Sequence, residues 1–524
     1  MKPLKPKKDK IKTSFLYLFL FFITITIRLI VSYKYYLVSR DSIYYIRMAQ
    51  TIYKDNIESA YRFFYPPLYP YLLKWFYPLT NNWVNAGIYV SIITSSLTIL
   101  PLIWIAHHQF GKRIAAITGI FFAFHPMLTR YSVEVLTEST YILLIVIAIS
   151  LFWYSQEKKG IISFLGAGFF SGLAYLCRPE GLGILIIIVA WQLFSITRKK
   201  TSFFRGLFAI GLVLLFFSII TFPYIYSISK GKGHIVLSKK SYDVFTVGIK
   251  NFSNRMHIKI DNKSFKVNPD KSFGPREKKI VTFDFIYKHP FLFTIKYIYD
   301  LISNIFAFIR AYNYLLFPFL ILGLFFKIKL KKFLLLDKLI LTICIFYLLT
   351  LSIFFHSPRI MLPLVPLTLI WGAYGVFALS KFINEKALFK NRAYSFYIIL
   401  SIIIIGFIPQ TLTPIRKEKK IIRDVAFWLK RNTKQDDKIF SYYPRIEPYM
   451  ERFIFSPDEY DPSNIPLLIK KYNIKYLVVD KKKIEQFLIL KNLITKKGKK
   501  AIKKFSSYPL SKKEILIYYL GDNV

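Results

Sequence analysis

Apolar stretches near twenty residues in length recur along most of this 524-residue chain. They cover residues 14–32, 84–106, 114–129, 137–155, 161–177, 181–197, 206–226, 313–328, 337–355, 360–380 and 393–412. A helix rises about 1.5 Å per residue, so about twenty apolar residues cross the hydrocarbon core of a bilayer. The pattern therefore predicts a mainly α, polytopic transmembrane helical bundle of about eleven spans over residues 14–412.

The basic residues predict which side of the membrane each connection faces. Cytoplasmic loops carry an excess of Lys and Arg, so the Lys-rich residues 1–13 are predicted to be cytoplasmic. The short basic connections near residues 112, 158 and 198 then fall on the same side. The opposite connections hold acids, Arg, His and aromatic residues, and this asymmetry predicts that any chemistry takes place on the outer face.

Two longer polar segments are also predicted on the outer side, a first outer loop at residues 33–83 and a second outer region at 227–312. The second region ends in an apolar stretch in which Lys296, Asp300 and Asn304 are four residues apart. That spacing places the three side chains on one helical face. We therefore expect an amphipathic helix on the outer leaflet here rather than a span.

The pattern changes again near residue 413. Helical stretches at 423–432, 463–472 and 482–492 alternate with strand-like runs at 438–443, 476–480 and 515–520. Such alternation predicts a small α/β domain over residues 413–524, and the alternation of sides places it outside the cytoplasm.

Composition narrows the function classes. The net charge is +46, with 75 Lys+Arg against 29 Asp+Glu, but the basic residues lie mostly between spans and no nucleic-acid motif occurs. Anionic membrane lipids are therefore better partners than nucleic acid. Cys177 and Cys344 lack partners at metal-ligand spacing. No metal site is predicted and no cofactor is firmly implied, although a divalent metal stays compatible with the sequence.

Acidic residues in the outer connections are the first candidates for chemistry. Asp41 follows the first span closely, and a carboxylate beside a membrane is costly to keep unless it is used. An ordinary interfacial acid among belt tyrosines is the alternative. Glu134 and Glu138 are four residues apart at the start of the 137–155 span, and acids are favourable at a helix N-terminus. The functional alternative is that one of them faces Asp41.

Arginines and aromatic residues complete the candidate set. Arg178 and Arg359 stand at predicted span ends, and a permanently charged planar guanidinium binds phosphate well. Snorkelling, or an ion pair between Arg178 and Glu180, is the alternative. The outer aromatics would line a groove for an isoprenoid chain and stack on sugar faces.

Four motifs also resemble a known family. They are Arg40-Asp41-x-x-Tyr44-Tyr45, Tyr65-Pro66-Pro67-Leu68-Tyr69-Pro70, Val135-Leu136-Thr137-Glu138 and Arg178-Pro179-Glu180-Gly181. Their order resembles that in bacterial membrane glycosyltransferases of the GT-C type. The group they resemble most is dolichyl-phosphate-mannose-protein mannosyltransferase-like (glycosyltransferase family 39 and lipopolysaccharide-modifying relatives). The similarity is clearest over residues 14–190.

The resemblance implies a hexosyl- or pentosyltransferase of the cell envelope. It would transfer a sugar with inversion from a polyprenyl-phosphate-linked donor to an acceptor hydroxyl at the outer face of the cytoplasmic membrane. Asp41 matches the catalytic base of the family. Paired acids are common in that loop, but Arg40 and Ser42 flank Asp41 here. Glu138 is therefore the predicted second catalytic acid.

The substrate-binding residues implied by the resemblance are Tyr44, Tyr45, Tyr65, Tyr69, Arg178, Glu180 and Arg359. The acceptor stays open among a lipid such as lipid A, a glycan and a protein. Two other classes remain as alternatives, a polytopic transporter or lipid flippase and a non-catalytic membrane assembly protein. Transporters place polar sites near the bilayer midplane, whereas the charged residues here lie at predicted span ends.

Overall fold

The computed structural model describes residues 10–56, 61, 63, 65–158, 160–231, 234–258, 266–267, 278–279, 282–385, 394–457, 465–486, 494, 501–506 and 514–521. The helices up to residue 411 are α1 (Lys10–Ser32), α2 (Arg40–Tyr53), α3 (Leu68–Thr80), α4 (Trp83–Phe110), α5 (Lys112–Phe124), α6 (Pro126–Tyr131), α7 (Glu138–Lys158), α8 (Ile162–Cys177), α9 (Leu182–Thr197), α10 (Phe203–Ser229), α11 (Lys240–Met256), α12 (Thr282–Lys288), α13 (Pro290–Tyr312), α14 (Phe317–Lys329), α15 (Leu335–Leu351), α16 (Pro358–Met361), α17 (Val365–Glu385) and α18 (Tyr394–Thr411). A two-stranded antiparallel ribbon, β1 (Lys266–Val267) and β2 (Lys278–Lys279), follows α11.

In the part of the chain that the structure describes, seven helices are long and apolar enough to cross a membrane. They are Ser14–Ser32, Trp83–Phe110, Glu138–Lys158, Pro179–Thr197, Phe203–Ser229, Pro290–Tyr312 and Pro358–Glu385, and the apolar Ile162–Cys177 and Ser395–Thr411 are shorter. The predicted mainly α, multi-pass bundle is thereby confirmed. The total of eleven spans stays a prediction.

Local chemistry explains where helices end differently from the sequence-based bounds. The stretch predicted at 114–129 is divided into α5 and α6, because Pro126 cannot donate to a continuous helix. The ring of His125 caps α6 instead and accepts a hydrogen bond from the amide of Leu128 at 3.3 Å.

Helix α13 contains the polar triad Lys296, Asp300 and Asn304, and all three side chains are buried on one face. That face is turned to the protein, since Asn304 donates to Ser352 just beyond the end of α15. Just beyond the C-terminal end of α13, Asn313 donates to Gln410 at the end of α18.

These contacts bear on how α13 lies in the membrane. Near the start of α13, Lys296 donates to the carbonyl oxygen of Ser352 at 3.3 Å, and at its end the carbonyl oxygen of Tyr312 lies 3.1 Å from His125 Nε2. Both contacts are with residues at helix ends, Ser352 after α15 and His125 between α5 and α6. The contacts support a helix that lies across one end of the bundle, although its length and composition alone would also allow a span. Its position on the outer leaflet remains a prediction.

The C-terminal domain contains α19 (Lys420–Asn432), α20 (Glu447–Met450), α21 (Ile465–Tyr472) and α22 (Lys481–Gln486). Its sheet contains β3 (Lys438–Ser441), β4 (Ile474–Asp480), β5 (Ala501–Ser506) and β6 (Glu514–Tyr519) in the order β3-β4-β6-β5. Strands β3 and β4 are parallel, and the other pairs are antiparallel. The predicted small domain with helices and strands is confirmed. Strand β5 was not predicted, and residues 487–492 of the predicted last helix lie outside the described residues.

This domain packs directly on the connection at residues 33–83. Arg47 of α2 forms a two-fold ion pair with Glu447, with its Nη2 2.6 Å from Oε2, and both side chains are buried. Arg416 donates to Glu134 at 2.7 Å in the connection between α6 and α7. One apolar cluster, which includes Leu37, Val425 and Ile446, runs across the same interface.

Candidate active site

The candidate charged residues stand at the ends of four different elements. Asp41 lies in the first turn of α2, where the Ser39 side chain caps the helix and an acid is favourable. Glu138 begins α7, Arg178 ends α8, and Arg359 lies in the short helix α16. All of these ends meet at one end of the bundle, which we call the site end.

Arg359 is the central contact of the site. Its Nη1 lies 2.6 Å from Asp41 Oδ2, and its Nε donates to Glu138 Oε1. Residues 41, 138 and 359 are far apart in the sequence, and one guanidinium joins them. The prediction paired Glu138 directly with Asp41. In the structure Arg359 lies between the two carboxylates, so they do not face each other.

Arg178 extends the same row of charges. Its Nη1 is 2.7 Å from Glu138 Oε1, and its Nη2 is 2.9 Å from Glu180 Oε1. Glu138 is fully buried and Arg178 nearly so. The result is an alternating row of Asp41, Arg359, Glu138, Arg178 and Glu180, in which each buried charge has an opposite charge beside it, as burial requires.

Glu134 is not part of this row, although its spacing from Glu138 made the two equivalent in the sequence. Its carboxylate pairs with Arg416 at 2.7 Å and lies 3.8 Å from Arg130. Glu134 therefore ties the connection before α7 to the chain that leads into the C-terminal domain, and Glu138 is the acid of the site.

Lys240 is a site residue that sequence reasoning missed. It begins α11, and its Nζ lies 4.9 Å from the centre of the Tyr65 ring. Burial and the charge of Arg178 lower the pKa of Lys240, while Glu180 and Asp41 oppose that shift. Its position in a polar loop was the only sequence indication, and the chain has 75 Lys and Arg residues.

The charges around Asp41 set its protonation. Burial raises the pKa of the Asp41 carboxyl, but the cations of Arg359 and Lys240 and a hydrogen bond with Tyr65 outweigh burial. The net shift holds the pKa of Asp41 below its usual value of 3.8. Asp41 is therefore an ionised carboxylate at neutral pH.

The four predicted tyrosines have different positions. Tyr65 lines the cavity beside Asp41. Tyr45 and Tyr69 are buried behind it, with the Tyr45 ring 4.5 Å from the ring of Tyr65 and 5.4 Å from that of Tyr69. Tyr44 is half-buried, with its ring 6.0 Å from Tyr65. Tyr45 and Tyr69 thus support the wall of the site and do not line it.

A cavity of about 620 Å³ opens at these residues. One part of its lining is charged and contains Asp41, Arg178, Glu180, Lys240 and Arg359. The rest is largely apolar and contains Leu182, Ile186, Val247, Phe346, Leu351, Phe354 and Ile360, among others. An amphipathic ligand with an anionic head and an apolar chain matches this division.

No group of three or more His, Cys, Asp or Glu residues in the described ranges is arranged to hold a metal ion. Three carboxylates of the site contact basic side chains instead: Asp41 and Glu138 contact Arg359, and Glu180 contacts Arg178. What the arrangement offers chemically is an ionised base, an anion-binding set of cations and an apolar wall.

Comparisons with known proteins agree with this architecture. The family described as dolichyl-phosphate-mannose-protein mannosyltransferase matches residues 65–224. No curated protein matches the sequence.

Among solved structures, ArnT from Cupriavidus metallidurans, in the apo state and bound to undecaprenyl phosphate, is 12% identical, with 98% of both chains covered and a TM-score of 0.59. The Archaeoglobus fulgidus oligosaccharyltransferase in complex with Zn and sulfate is 15% identical, with 95% of this chain and 72% of that chain covered and a TM-score of 0.59. At such identities the likeness shows the fold, and it confirms the predicted fold class.

Proposed function

We propose that this chain, which has the GT-C glycosyltransferase fold and is mannosyltransferase-like over residues 65–224, transfers a sugar from a polyprenyl-phosphate-linked donor to an acceptor hydroxyl. The observation that carries the proposal is a single cavity in which an ionised carboxylate, three cations and an apolar wall meet. Each of these features has a task in that reaction.

The cations suit the phosphate of the donor. Arg178, Arg359 and Lys240 all line the cavity, and fixed cations stabilise the charge that develops on a departing phosphate. The apolar wall beside them suits the isoprenoid chain. One relative of the same fold, ArnT, has been solved bound to undecaprenyl phosphate, which supports a donor of this class.

Asp41 is the proposed base. As the acceptor oxygen bonds to the anomeric carbon, Asp41 takes the proton of that hydroxyl. The bond between the anomeric carbon and the phosphate oxygen breaks, and polyprenyl phosphate leaves with the electron pair. Attack from the face opposite the phosphate gives inversion.

Donor binding would also tune this base. Before the donor binds, Arg359 and Lys240 hold the pKa of Asp41 low, which makes the carboxylate a weak base. A bound phosphate takes up part of the attraction of those cations, so the pKa of Asp41 rises toward the operating pH. Asp41 becomes more basic only when a leaving group is in place.

Glu138 has a different proposed task from that of the second catalytic acid expected from the sequence. It contacts both arginines, and Arg359 lies between it and Asp41. We assign it the positioning of Arg178 and Arg359 for the phosphate.

The reaction is proposed at the outer face of the cytoplasmic membrane, with the N-terminus in the cytoplasm. The site end also holds the C-terminal domain, since Arg47 of α2 pairs with Glu447. A reporter fused after Lys417 should therefore give an extracytoplasmic signal. A cytoplasmic signal would reverse the orientation.

The test of function uses the full chain in proteoliposomes with undecaprenyl-phosphate hexose or pentose and a membrane extract as acceptor source. Release of undecaprenyl phosphate is measured. Asp41→Asn should lower the rate by about 10²- to 10⁴-fold. The matched control is Asp55→Asn, because Asp55 follows α2 in the same loop and its side chain is 87% exposed.

Undiminished release by Asp41→Asn would refute the assignment of the base. If the wild-type chain released nothing from either donor but moved the lipid between leaflets, the transporter alternative would replace the proposal.

A further inference from the structure

A second large cavity, of about 850 Å³, lies at the end of the bundle opposite to the site end. Helices α7, α9 and α15 run from the site to this second cavity. Helix α9 contributes Ile186 to the first cavity and Gln192 to the second, and α15 contributes Phe346 and Lys338 in the same way. Glu138 at the start of α7 belongs to the site, while Ser155 and Gln156 near its other end line the second cavity. The helical rise of about 1.5 Å per residue places Ser155 about 25 Å along the axis from Glu138. The second cavity is therefore separate from the proposed catalytic one.

The lining of this cavity is strongly basic. Arg198, Lys200, Arg205 and Lys338 contribute to it, and no Asp or Glu is among the described residues that line it. The site cavity differs in this respect, because acids alternate with its cations. A concave wall with this excess of positive charge favours an anionic ligand.

Neutral donors complete the lining. The side chains of Gln156 and Gln192 are joined by a hydrogen bond of 2.9 Å, and both reach the cavity. Thr201 and Ser202 add hydroxyl groups from the connection before α10. Cations together with amide and hydroxyl donors are the groups that bind phosphate oxygens.

The flank of the cavity is apolar and exposed. Phe194 is 51% exposed, and Phe203 and Phe204 at the start of α10 are 59% and 84% exposed. Aromatic and basic residues at the ends of apolar helices are typical of the interface between lipid head groups and acyl chains. A ligand bound here would have its charged group in the cavity and acyl chains beside these rings.

We propose that this cavity binds the phosphate head group of an anionic phospholipid from the leaflet opposite the catalytic site. Basic pockets between transmembrane helices recognise such head groups through the same combination of charge and lipid access. The phosphate group is the recognised chemistry. A water-soluble phosphate ester would offer the same group without acyl chains, so the experiment separates the two sources.

The test uses the full-length protein in nanodiscs of phosphatidylcholine mixed with phosphatidylglycerol, with native mass spectrometry to count retained lipids. The variant is Arg198→Gln with Lys338→Gln. The matched control is Arg113→Gln with Lys329→Gln, since both of these exposed residues lie at the same end of the bundle but outside the cavity lining. The two double variants lose equal charge.

The proposal expects the wild-type protein to retain phosphatidylglycerol preferentially. The ratio of retained phosphatidylglycerol to phosphatidylcholine should fall about tenfold or more in the cavity variant and less than about twofold in the control. Equal losses in both variants would mean that the general surface charge acts, and would overturn the proposal. Fold is checked by the melting temperature of each variant in pure phosphatidylcholine.

A second arm measures the melting temperature with glycerol 3-phosphate or inorganic phosphate added to nanodiscs of pure phosphatidylcholine. No shift, together with a shift caused by phosphatidylglycerol that the cavity variant lacks, supports the lipid head group. A cavity-dependent shift with the soluble phosphates equal to that with the lipid would refute the lipid source and assign the cavity to a soluble phosphate ester.

Discussion

Arg359→Gln is the substitution that tests the proposed site most directly, because the Arg359 side chain joins the carboxylates of Asp41 and Glu138. The change removes the ion pairs with Asp41 and Glu138 while it keeps a similar volume. It also removes one of the three cations proposed for the donor phosphate. The effects on stability and on catalysis have different sizes, and they can be separated.

The stability loss is limited by what remains around each acid. The side chains of Arg359 and Asp41 are 27% and 34% exposed, so their pair contributes about 1 kcal/mol or less. Glu138 is fully buried but keeps its pair with Arg178. Loss of the ion pair between Glu138 and Arg359 should therefore cost about 2 kcal/mol, which is below the 3–5 kcal/mol typical of a broken buried pair.

The catalytic loss should be larger than this. Removal of one fixed donor to a developing charge lowers kcat by about 10²- to 10³-fold, which is about 2.7–4 kcal/mol. Arg359→Lys keeps the charge but not the planar fork, so we expect a smaller loss of rate. Both rates are measured well below the melting temperature of each variant, with folded protein quantified by size-exclusion chromatography.

The pH dependence gives a readout that instability would not produce. In the wild-type protein the pKa of Asp41 is below 3.8, so kcat/KM should not fall as the pH is lowered through the mildly acidic range. Without Arg359, burial still raises the pKa and one opposing cation is lost. The acid limb of kcat/KM should then move to higher pH in Arg359→Gln and move less in Arg359→Lys. An unchanged pH profile in Arg359→Gln would refute the link between Arg359 and the base.

Three further outcomes are expected. Because burial lowers the pKa of Lys240, the affinity for undecaprenyl phosphate, measured by thermophoresis, should weaken as the pH becomes alkaline, and Lys240→Arg should remove that dependence. Arg47→Gln should cost about 3–5 kcal/mol of unfolding free energy, because the buried carboxylate of Glu447 loses its ion pair with Arg47, and Glu447→Gln in the same chain should restore part of it in a double-mutant cycle. Gly375→Ala should lower the melting temperature, because the added Cβ would collide with a backbone carbonyl of α14, whereas Gly211→Ala, which has open space, should not.

The membrane architecture was predictable because a bilayer imposes a length. A span needs about twenty apolar residues, and that pattern is visible without knowledge of the fold. Alternation of sides then placed Asp41 and Arg359 on the same face, although 318 positions separate them, and the structure joins them by an ion pair. The predicted strands were found for a similar reason, since β4 and β6 are apolar runs buried in the small domain.

Other features depend on side-chain packing that no spacing reveals. Glu134 and Glu138 are equivalent in the sequence, and only the fold directs one to Arg416 and the other to the arginines of the site. Lys240 is one of many lysines until α11 brings it over Tyr65. Strand β5 is exposed along most of its length, so it lacks the apolar alternation that identifies a strand.

The C-terminal domain and the segment that leads into it contact the elements that carry Asp41 and Glu138. The domain holds α2, the helix of Asp41, through Arg47 and Glu447, and it follows the segment in which Arg416 holds Glu134, four residues before Glu138. Asp41 and Glu138 therefore stand on elements fixed from the same side. Catalytic groups need placement to within a fraction of an ångström, and such placement comes from locked neighbours. Changes in the domain interface should thus alter the rate of transfer even where they touch neither the cavity nor a substrate.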